Sequence, residues 1–493
     1  MSVAQASTPA ARSAAPHHLA PGSGLVIGLL LVSAFVVILN ETTMIVALPR
    51  LMTDLGVTAS TGQWLTTGFL LTMAIVIPVT GFLLQRFPLR GVFFAAMSLF
   101  SAGTLVAATA QGFAFVLTGR VLQAVGTAIM LPLLMTTVLN LVPPSSRGRM
   151  MGRISIVIGV APALGPAISG FIINALDWHY VFWFVLPIAL ASLALGIAKL
   201  KDVTTPSDTP IDVPSVILSA LGFGGLVYGL SSIGEAHEGR VVLPAWVPIV
   251  TGLVVLAVFV ARQLHLQRHD AALLDLRTFR TRTFTVAIAM LAVSMLTLFG
   301  TLIVLPLYLQ NVLGLDALTT GLVLLPGGLT MALLSPVVGH LFDRYGPRPL
   351  LVPGALSVSA ALWLFTLTLS TETPTAAIVG LHTLLHIGLA LTLTPLMTSA
   401  LGSLNPHLYS YGSATVGTVQ QLAGAAGTAV FVTLLAAGTA AGSEAGVAPP
   451  VAFTSGTQSA FLFGAATSLL SVVAAFFVHR PPTAPENLLS LPH

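Results

Sequence analysis

The sequence has 493 residues, of which 55% are hydrophobic and only 7% are charged. A soluble globular domain carries roughly 25% charged residues, so this composition excludes an ordinary soluble protein and predicts a chain that lies in a lipid bilayer. The chain has no cysteine, which excludes disulfides, thiolate metal sites and cysteine nucleophiles. The basic residues behind its net charge of +4 lie in short loops between apolar runs. That pattern is typical of membrane orientation and not of nucleic-acid binding.

Residues 1–23 are rich in Ala, Ser and Pro and predict a disordered tail without a cleavable signal. Fourteen apolar runs follow, each of about 20 residues or more, the length that crosses the hydrocarbon core. They predict an all-α polytopic membrane protein with 14 transmembrane helices, followed by a second tail at 479–493. The predicted spans are residues 24–48, 61–84, 91–110, 113–141, 151–175, 179–200, 213–234, 244–263, 283–307, 316–341, 348–370, 374–398, 411–437 and 456–478.

Lysine and arginine are distributed unevenly between the two sets of loops. If the N-terminus lies in the cytoplasm, sixteen of the nineteen basic residues fall on the cytoplasmic side. Only Arg50 and Arg240 fall outside, and Arg120 lies within a span. Cytoplasmic loops carry the excess of basic residues in membrane proteins. An even number of spans with both termini in the cytoplasm is therefore expected.

Two basic loops repeat one pattern. Residues 81–90, after span 2, read GFLLQRFPLR, and residues 339–348, after span 10, read GHLFDRYGPR. The copies lie eight spans apart, so two extra helices separate two six-helix halves. The predicted organisation is a bundle at 24–200, a linker with spans 7 and 8 at 201–282, and a second bundle at 283–478. Parallel six-helix repeats are a plan of secondary transporters, whose substrate site lies between the halves.

The sequence contains three further motifs besides the repeated loop pattern. Residues 39–49 read LNETTMIVALP, residues 119–126 read GRVLQAVG, and residues 159–170 read GVAPALGPAISG. With these motifs in this order, roughly residues 24–478 resemble the major facilitator superfamily, in its fourteen-span drug:proton antiporter branch (the EmrB/QacA-like group). The chain most resembles the lincomycin-resistance-type subgroup of that branch.

The resemblance implies a multi-pass antiporter of the bacterial inner membrane that exports amphipathic small molecules, such as drugs, in exchange for protons by alternating access. It implies a monomer that needs no cofactor, no metal and no nucleic acid. Three positions depart from the QacA-like pattern. Asn40 stands where an aspartate is usual and the acid follows at Glu41, Gln85 stands in place of aspartate, and Ala124 in place of glycine.

Glu41 and Arg120 are the charged residues deep within predicted spans. An intramembrane charge costs about 2.5–3.5 kcal/mol on insertion scales, and burial favours the protonated form of a carboxyl group. Glu41 lies about 12 Å and Arg120 about 10 Å below the outer end of its span, at 1.5 Å per residue. We expect the two to interact, directly or through water or Gln123, and to couple proton movement to transport. The alternatives are a carboxyl that reaches the outer interface, or a fixed structural ion pair.

His382 and His386 lie four residues apart in span 12 and therefore share one helix face. Histidine titrates near neutral pH, so the pair is a second candidate for proton coupling. Two alternatives remain open: packed structural histidines, or a zinc site, for which no third ligand at suitable spacing is evident.

Two further sets of residues are assigned to the substrate and to gating. The predicted substrate-cavity residues are Asn40, Thr43, Met44, Gln123, Met130 and Met295; flexible thioethers suit promiscuous apolar binding, although most methionines in spans simply pack. Small residues and proline in span 5 permit close approach and bending of helices. The predicted gating residues are Gly159, Gly165, Pro166, Gly170, Arg86, Arg90, Asp343, Arg344 and Arg348. Ordinary close packing and positive-inside anchoring are the alternatives for these.

Other functions fit the sequence less well. No Walker lysine motif occurs, so ATP is not the expected energy source. No nucleophile constellation is evident, so an enzyme is not expected. The alternative transporter is an exporter or flippase of a lipid or of a biosynthetic product of the same cell.

Overall fold

The computed structural model describes residues 23–57, 59–200, 202, 212–235 and 244–478. Within these residues the chain forms fourteen long helices and no strand, which confirms the predicted fold class. The helices are α1 Ser23–Asp54, α2 Ala59–Arg86, α3 Leu89–Ala108, α4 Phe113–Leu141, α5 Arg147–Ala175, α6 His179–Lys199, α7 Val213–Glu235, α8 Trp246–Leu266, α9 Arg282–Asn311, α10 Ala317–Tyr345, α11 Arg348–Thr368, α12 Thr375–Gly402, α13 Tyr409–Glu444 and α14 Pro449–Ala475. The two predicted tails lie outside the described residues, except for Ser23, where α1 begins.

Thirteen of these helices carry an apolar stretch long enough to cross a membrane, counted over the described residues. The other is α5, which begins with Arg147, Arg149 and Arg153 before its apolar part. Helix ends differ from the prediction where a helix continues beyond its apolar run. Thus α1 passes through Pro49 to Asp54, and α14 begins at Pro449, seven residues before the predicted start. Apolar composition marks the hydrocarbon core, whereas backbone hydrogen bonding continues into the polar interface.

The two six-helix bundles repeat one packing scheme. In the first, α1 packs on α5, α2 on α4, and α3 on α4 and α6. In the second, α9 packs on α13, α10 on α12, and α11 on α12 and α14. Glycines make the closest contacts: Gly103 of α3 lies against Gly119 of α4, and Gly354 of α11 lies against Gly388 of α12. Small residues let helices approach closely in the bilayer, where apolar burial drives no association.

Helices α7 and α8 form a hairpin outside both bundles. Within the pair, Gly225 lies against Gly252, and α7 also packs on α2 and α13, one helix from each bundle. Arg262 of α8 donates two hydrogen bonds, of 2.7 and 2.8 Å, to Asp212 just before α7. These bonds hold the pKa of the Asp212 carboxyl below its usual value. The inserted hairpin therefore covers the seam between α2 and α13.

The two bundles meet at one end of the molecule, which we name the arginine-rich end. It comprises the ends of α2 and α10, the starts of α5 and α13 and the loops beside them, with Arg86, Arg90, Arg147, Arg149, Arg344 and Arg348. Here the Thr136 hydroxyl donates to the Ser413 hydroxyl at 3.2 Å, and the hydroxyls of Ser155 and Thr394 lie 2.9 Å apart. Gly81 of α2 also lies against α13. The halves are therefore closed against each other at this end.

Candidate functional site

Glu41 lies on the side of α1 that faces the protein interior. Val32, nine residues earlier, is 50% exposed on the outer surface of the bundle. Nine residues of α-helix turn through about 900°, so Glu41 lies on the opposite side of the helix. Thr42, the next residue, contacts α5, where its hydroxyl lies 3.4 Å from the Ala161 carbonyl oxygen. Glu41 itself is partly exposed.

Arg120 is the most deeply buried charged side chain at the site, with 1% of its surface exposed. It lies in α4, and its guanidinium carbon lies 4.0 Å from the centre of the Phe69 ring in α2. Its Nε donates to the Leu65 carbonyl oxygen at 3.4 Å, and Nη1 donates to Gln123 Oε1 at 3.3 Å. A buried guanidinium over an aromatic ring gains cation–π stabilisation of about 2 kcal/mol when desolvated. These partners are neutral, so they leave the positive charge uncompensated.

Glu41 and Arg120 interact electrostatically with each other. Among the described residues, no nitrogen of Arg120 lies within 4.0 Å of a carboxyl oxygen of Glu41. The pair therefore interacts across a gap and not as a closed ion pair. A charge interaction across a low-dielectric gap changes strongly when one partner gains a proton.

Gln123 bridges Arg120 to the residue beside Glu41. Its Oε1 accepts from Arg120, while its Nε2 donates to Thr104 Oγ1 at 3.0 Å and to Asn40 Oδ1 at 3.5 Å. The buried Nδ2 of Asn40 has no hydrogen-bond partner among the described residues. The polar network of α1, α3 and α4 thus ends one residue from the carboxyl group.

The sequence did not single out Phe69, Leu65 or Thr104, which complete this site. None belongs to a motif, and the first two contact Arg120 only because α2 packs against α4. A buried arginine predicts that partners exist, but the partners themselves follow from packing between helices.

The six predicted substrate-cavity residues are all buried in this conformation. Asn40 and Gln123 belong to the polar network just described, while Met44 and Met130 pack within apolar clusters between helices. Thr43 and Met295 are also buried. None of the six lines the cavity between α2, α7, α9 and α13 that is described below. Contact of these residues with a substrate stays a prediction.

His382 and His386 pack together against α10. Their ring centres are 4.2 Å apart, and His386 Nδ1 lies 2.9 Å from the His382 carbonyl oxygen. Both rings lie against Gly327, where a side chain would collide with them. Nδ1 of His382 is buried and has no hydrogen-bond partner among the described residues. The described part of the chain contains no cluster of three His, Cys, Asp or Glu that could hold a metal.

His386 occupies the position in the second bundle that Gln123 occupies in the first, and His382 matches Gly119, the residue before Arg120. His386 lies nine residues before Pro395 of α12, just as Gln123 lies nine residues before Pro132 of α4. Gly327 lies sixteen residues before Asp343, the same spacing as that from Phe69 to Gln85. Each bundle therefore places polar side chains of one helix against the matching helix, α2 or α10.

The predicted gating glycines of α5 contact both bundles. Gly165 lies against Thr42 of α1, and Gly159 lies opposite Ala332 of α10, in the other bundle. Pro166 and Gly170 also lie in α5, with the side chain of Pro166 outside the described residues. At these two contacts α5 presents no side chain, which lets it lie close to both halves. This placement is compatible with gating and with simple close packing.

Asp343 joins the two bundles at the arginine-rich end. Its two carboxylate oxygens accept hydrogen bonds from the backbone N–H groups of Gly148, at 2.7 Å, and Arg149, at 2.9 Å. These residues form the first turn of α5, whose unpaired N–H groups and dipole attract an anion. Gln85, at the matching position in α2, instead donates one 2.7 Å hydrogen bond to the His407 carbonyl oxygen just before α13.

The four predicted gating arginines have different surroundings. Arg90 donates its backbone N–H to Asp202 at 2.9 Å and Nη2 to the Ile197 carbonyl oxygen at 2.8 Å, both within or next to its own bundle. The Arg344 guanidinium lies 5.1 Å from the ring centre of its neighbour Tyr345. Arg86 ends α2 and Arg348 begins α11. Contacts that cross between the bundles here include those of Asp343 and Gln85, and Arg149 Nη2, which lies 3.3 Å from His340 Nδ1.

Comparisons with known proteins agree with this architecture. A family model described as the Major Facilitator Superfamily matches residues 30–428. The lincomycin resistance protein LmrB of Listeria monocytogenes is 41% identical over 460 residues, which cover 92% of this chain and 96% of the relative. LmrB of Bacillus subtilis is 40% identical over 457 residues, covering 92% and 95%. The multidrug resistance protein B homolog of Mycobacterium tuberculosis is 29% identical over 430 residues, covering 85% and 77%.

Two solved structures share the fold. The human organic anion transporter MFSD10 superposes with a TM-score of 0.62 at 17% identity, covering 92% of this chain and 100% of that chain. The proton:xylose symporter XylE gives a TM-score of 0.62 at 15% identity, covering 94% and 97%. At these identities the likeness concerns the fold alone. The helix packing, the matched family model and the relatives at about 40% identity together place this membrane-spanning chain in the Major Facilitator Superfamily.

Proposed function

We propose that this protein is a proton-coupled antiporter that exports amphipathic small molecules, lincosamide antibiotics among them, across the bacterial inner membrane. The names of its relatives, lincomycin resistance and multidrug resistance proteins, support this substrate class. The arginine-rich end faces the cytoplasm, as the positive-inside rule requires. The protein works as a transporter and not as an enzyme, and as a monomer.

The observation that carries the proposal is the gap between Glu41 and Arg120. Glu41 is partly exposed on the inward-facing side of α1, and Arg120 is buried among neutral partners. Ionised Glu41 draws Arg120 towards α1, whereas a proton on Glu41 removes the attraction and frees the guanidinium. Because Gln123 joins Arg120 to Asn40, each such shift moves the polar network of α1, α3 and α4. Without bound substrate, the transporter then changes conformation only when Glu41 carries a proton.

Alternating access completes the cycle. The present conformation is closed at the arginine-rich end, so its central site faces outward in the proposed orientation. A proton binds Glu41 from outside, and the contacts at the arginine-rich end then open. The proton leaves to the cytoplasm as substrate enters from the cytoplasm. One pH unit supplies about 1.4 kcal/mol per proton, enough for about a tenfold substrate gradient at one proton per substrate.

Proteoliposomes with an acidic interior test the proposal. Addition of lincomycin outside wild-type vesicles is expected to release protons, because substrate enters as protons leave. Glu41→Gln is expected to abolish this release. Glu444→Gln, which neutralises an exposed carboxyl at the end of α13, is the matched control and should behave as wild type.

Absence of proton release from the wild type with lincomycin and with a panel of other amphipathic drugs would refute antiport. Release that persists in Glu41→Gln would remove this carboxyl from the mechanism. Redistribution of labelled phospholipid without proton movement would instead favour the flippase alternative.

A further inference from the structure

A cavity of about 130 Å³ lies between the two bundles and the inserted hairpin. It is lined by one residue of α2, one of α9, three of α7 and six of α13. Gly417 of α13 lies against Ile77 of α2, and four residues further Gln421 still reaches Met73. Beyond that level the two helices separate, and the cavity fills the space between them. It therefore lies on the side of the seam away from the arginine-rich end.

Helix α7 forms the side wall of this cavity and is held by the first bundle. The ring of Tyr228 stacks on Trp64 of α2 with centroids 5.9 Å apart, and Gly224 packs against Leu71 and Ile75. On the cavity side, α7 presents Val227, Leu230 and Ser231. The wall is thus supplied by α7, one of the two helices inserted between the six-helix halves.

The lining of the cavity is apolar with three hydrogen-bonding groups and no charge. Its polar members are Ser231 of α7 with Gln421 and Thr428 of α13. Within the described residues, the hydrogen bond that Gln421 donates goes to the Met73 sulfur, 3.5 Å away, and sulfur is a weak acceptor. An uncharged apolar group with a nearby polar atom would fit these surroundings. A cavity of about 150 Å³ holds one benzene molecule, so the fit is to one ring or a short alkyl chain.

We propose that this cavity, which we name the α7 side pocket, binds the apolar part of the exported substrate while the polar part lies in the space between the bundles. The proposal rests on the antiport function proposed above and extends it to substrate selection. The pocket opens when α2 and α13 diverge away from the arginine-rich end and closes when they approach there. The inserted hairpin therefore contributes directly to recognition of amphipathic compounds.

Because the chain has no native cysteine, a single introduced thiol reports on the pocket without background. Ser231→Cys places that thiol in the wall, and Ser443→Cys at the exposed end of α13 is the control. Reaction with N-ethylmaleimide is followed in proteoliposomes with and without saturating lincomycin. We expect lincomycin to slow labelling of Ser231→Cys about tenfold and to leave Ser443→Cys unchanged.

A second pair of variants tests the pocket by filling it. Ala425→Leu extends a side chain into the cavity, and Ala466→Leu adds the same atoms on the exposed face of α14. Loss of a pocket for one or two methylene groups costs roughly tenfold in affinity. We expect Ala425→Leu to raise the KM for lincomycin about tenfold with an unchanged maximal rate, and Ala466→Leu to change neither.

The outcomes separate the pocket from the antiport proposal. Undiminished labelling of Ser231→Cys under saturating lincomycin, or equal KM values in the two leucine variants, would overturn the pocket. Labelling that is blocked in phospholipid vesicles but not in detergent, with or without lincomycin, would assign the cavity to a lipid chain and also overturn it. The antiport proposal itself is tested separately, and absence of proton release by the wild type would refute it.

Discussion

Asp343→Asn is predicted to weaken the closure of the arginine-rich end. The carboxylate accepts from Gly148 N–H and Arg149 N–H at the start of α5, across the boundary between the bundles. Asparagine keeps the shape of the side chain but has no charge and only one acceptor oxygen. The variant therefore loses one hydrogen bond and the attraction between the carboxylate and the helix dipole.

The size of the effect follows from these two losses. A charge at a partly buried helix N-terminus is worth about 0.3–2 kcal/mol, and a net hydrogen bond to a charged group about 1.5–3 kcal/mol. Asp343 is only partly buried, and water compensates part of the loss. We therefore expect about 1–2 kcal/mol, which shifts the ratio of closed to open molecules by roughly 5- to 30-fold.

Distances between spin labels measure this ratio. Ser145→Cys and Asn405→Cys place one label in each bundle, in exposed loops at the arginine-rich end, and the cysteine-free chain needs no other change. Double electron–electron resonance should show a longer-distance population that grows by about the predicted factor in Asp343→Asn. The control is Asp316→Asn, which alters a carboxylate that caps its own helix, accepting from Thr319 N–H at 2.6 Å, at the opposite end of α10.

Two results would refute this reasoning. The first is a longer-distance population in Asp343→Asn that differs in size from that of the wild type by less than a factor of two. The second is an equal shift in Asp316→Asn, which would indicate a general loss of helix stability and not the loss of a contact between bundles.

Three other changes have defined outcomes. Gln85→Asp removes the hydrogen bond that the amide donates to the His407 carbonyl oxygen and places a carboxylate, which has no donor, beside that oxygen; it should reduce the closed, short-distance population in the same resonance experiment. Gly165→Val places a branched side chain against Thr42, and should lower the transport rate at least tenfold while the protein still reaches the membrane, as measured by vesicle uptake and membrane immunoblot. The depressed pKa of Asp212 means that its ion pair with Arg262 stabilises the protein above the unfolded-state pKa and is lost as pH falls through the folded-state pKa. The melting temperature of the wild type should therefore drop below about pH 4 more than that of Asp212→Asn, and parallel curves would contradict this.

Much of the fold follows from patterns that depend on local chemistry. Apolar run length gives the fourteen helices, because the bilayer thickness fixes the length of a span. The repeated loops at 81–90 and 339–348 give the 6 + 2 + 6 organisation, because equivalent positions of a repeat carry equivalent contacts. Asp343 and Gln85 do contact corresponding helix starts, in α5 and before α13.

Contacts between distant segments could not be predicted in the same way. The position of Phe69 beneath Arg120 depends on the packing of α2 on α4, which no local pattern records. The place of α7 over the α2–α13 seam is likewise a consequence of which surfaces remain uncovered after both bundles form. The distance between Glu41 and Arg120 is set by the backbone positions of α1 and α4, so matching depth in the membrane predicts an interaction but not a closed ion pair.

The central claim is that Glu41 couples a proton to substrate movement, and a comparison of two kinds of transport by Glu41→Gln tests it most directly. Uptake of radiolabelled lincomycin is measured in one vesicle preparation, once driven by an acidic interior and once as exchange with unlabelled lincomycin at equal pH. The neutral glutamine should still permit exchange at a rate comparable to wild type but abolish accumulation driven by the pH gradient. Accumulation driven by the pH gradient in Glu41→Gln, or loss of exchange together with accumulation, would contradict the claim.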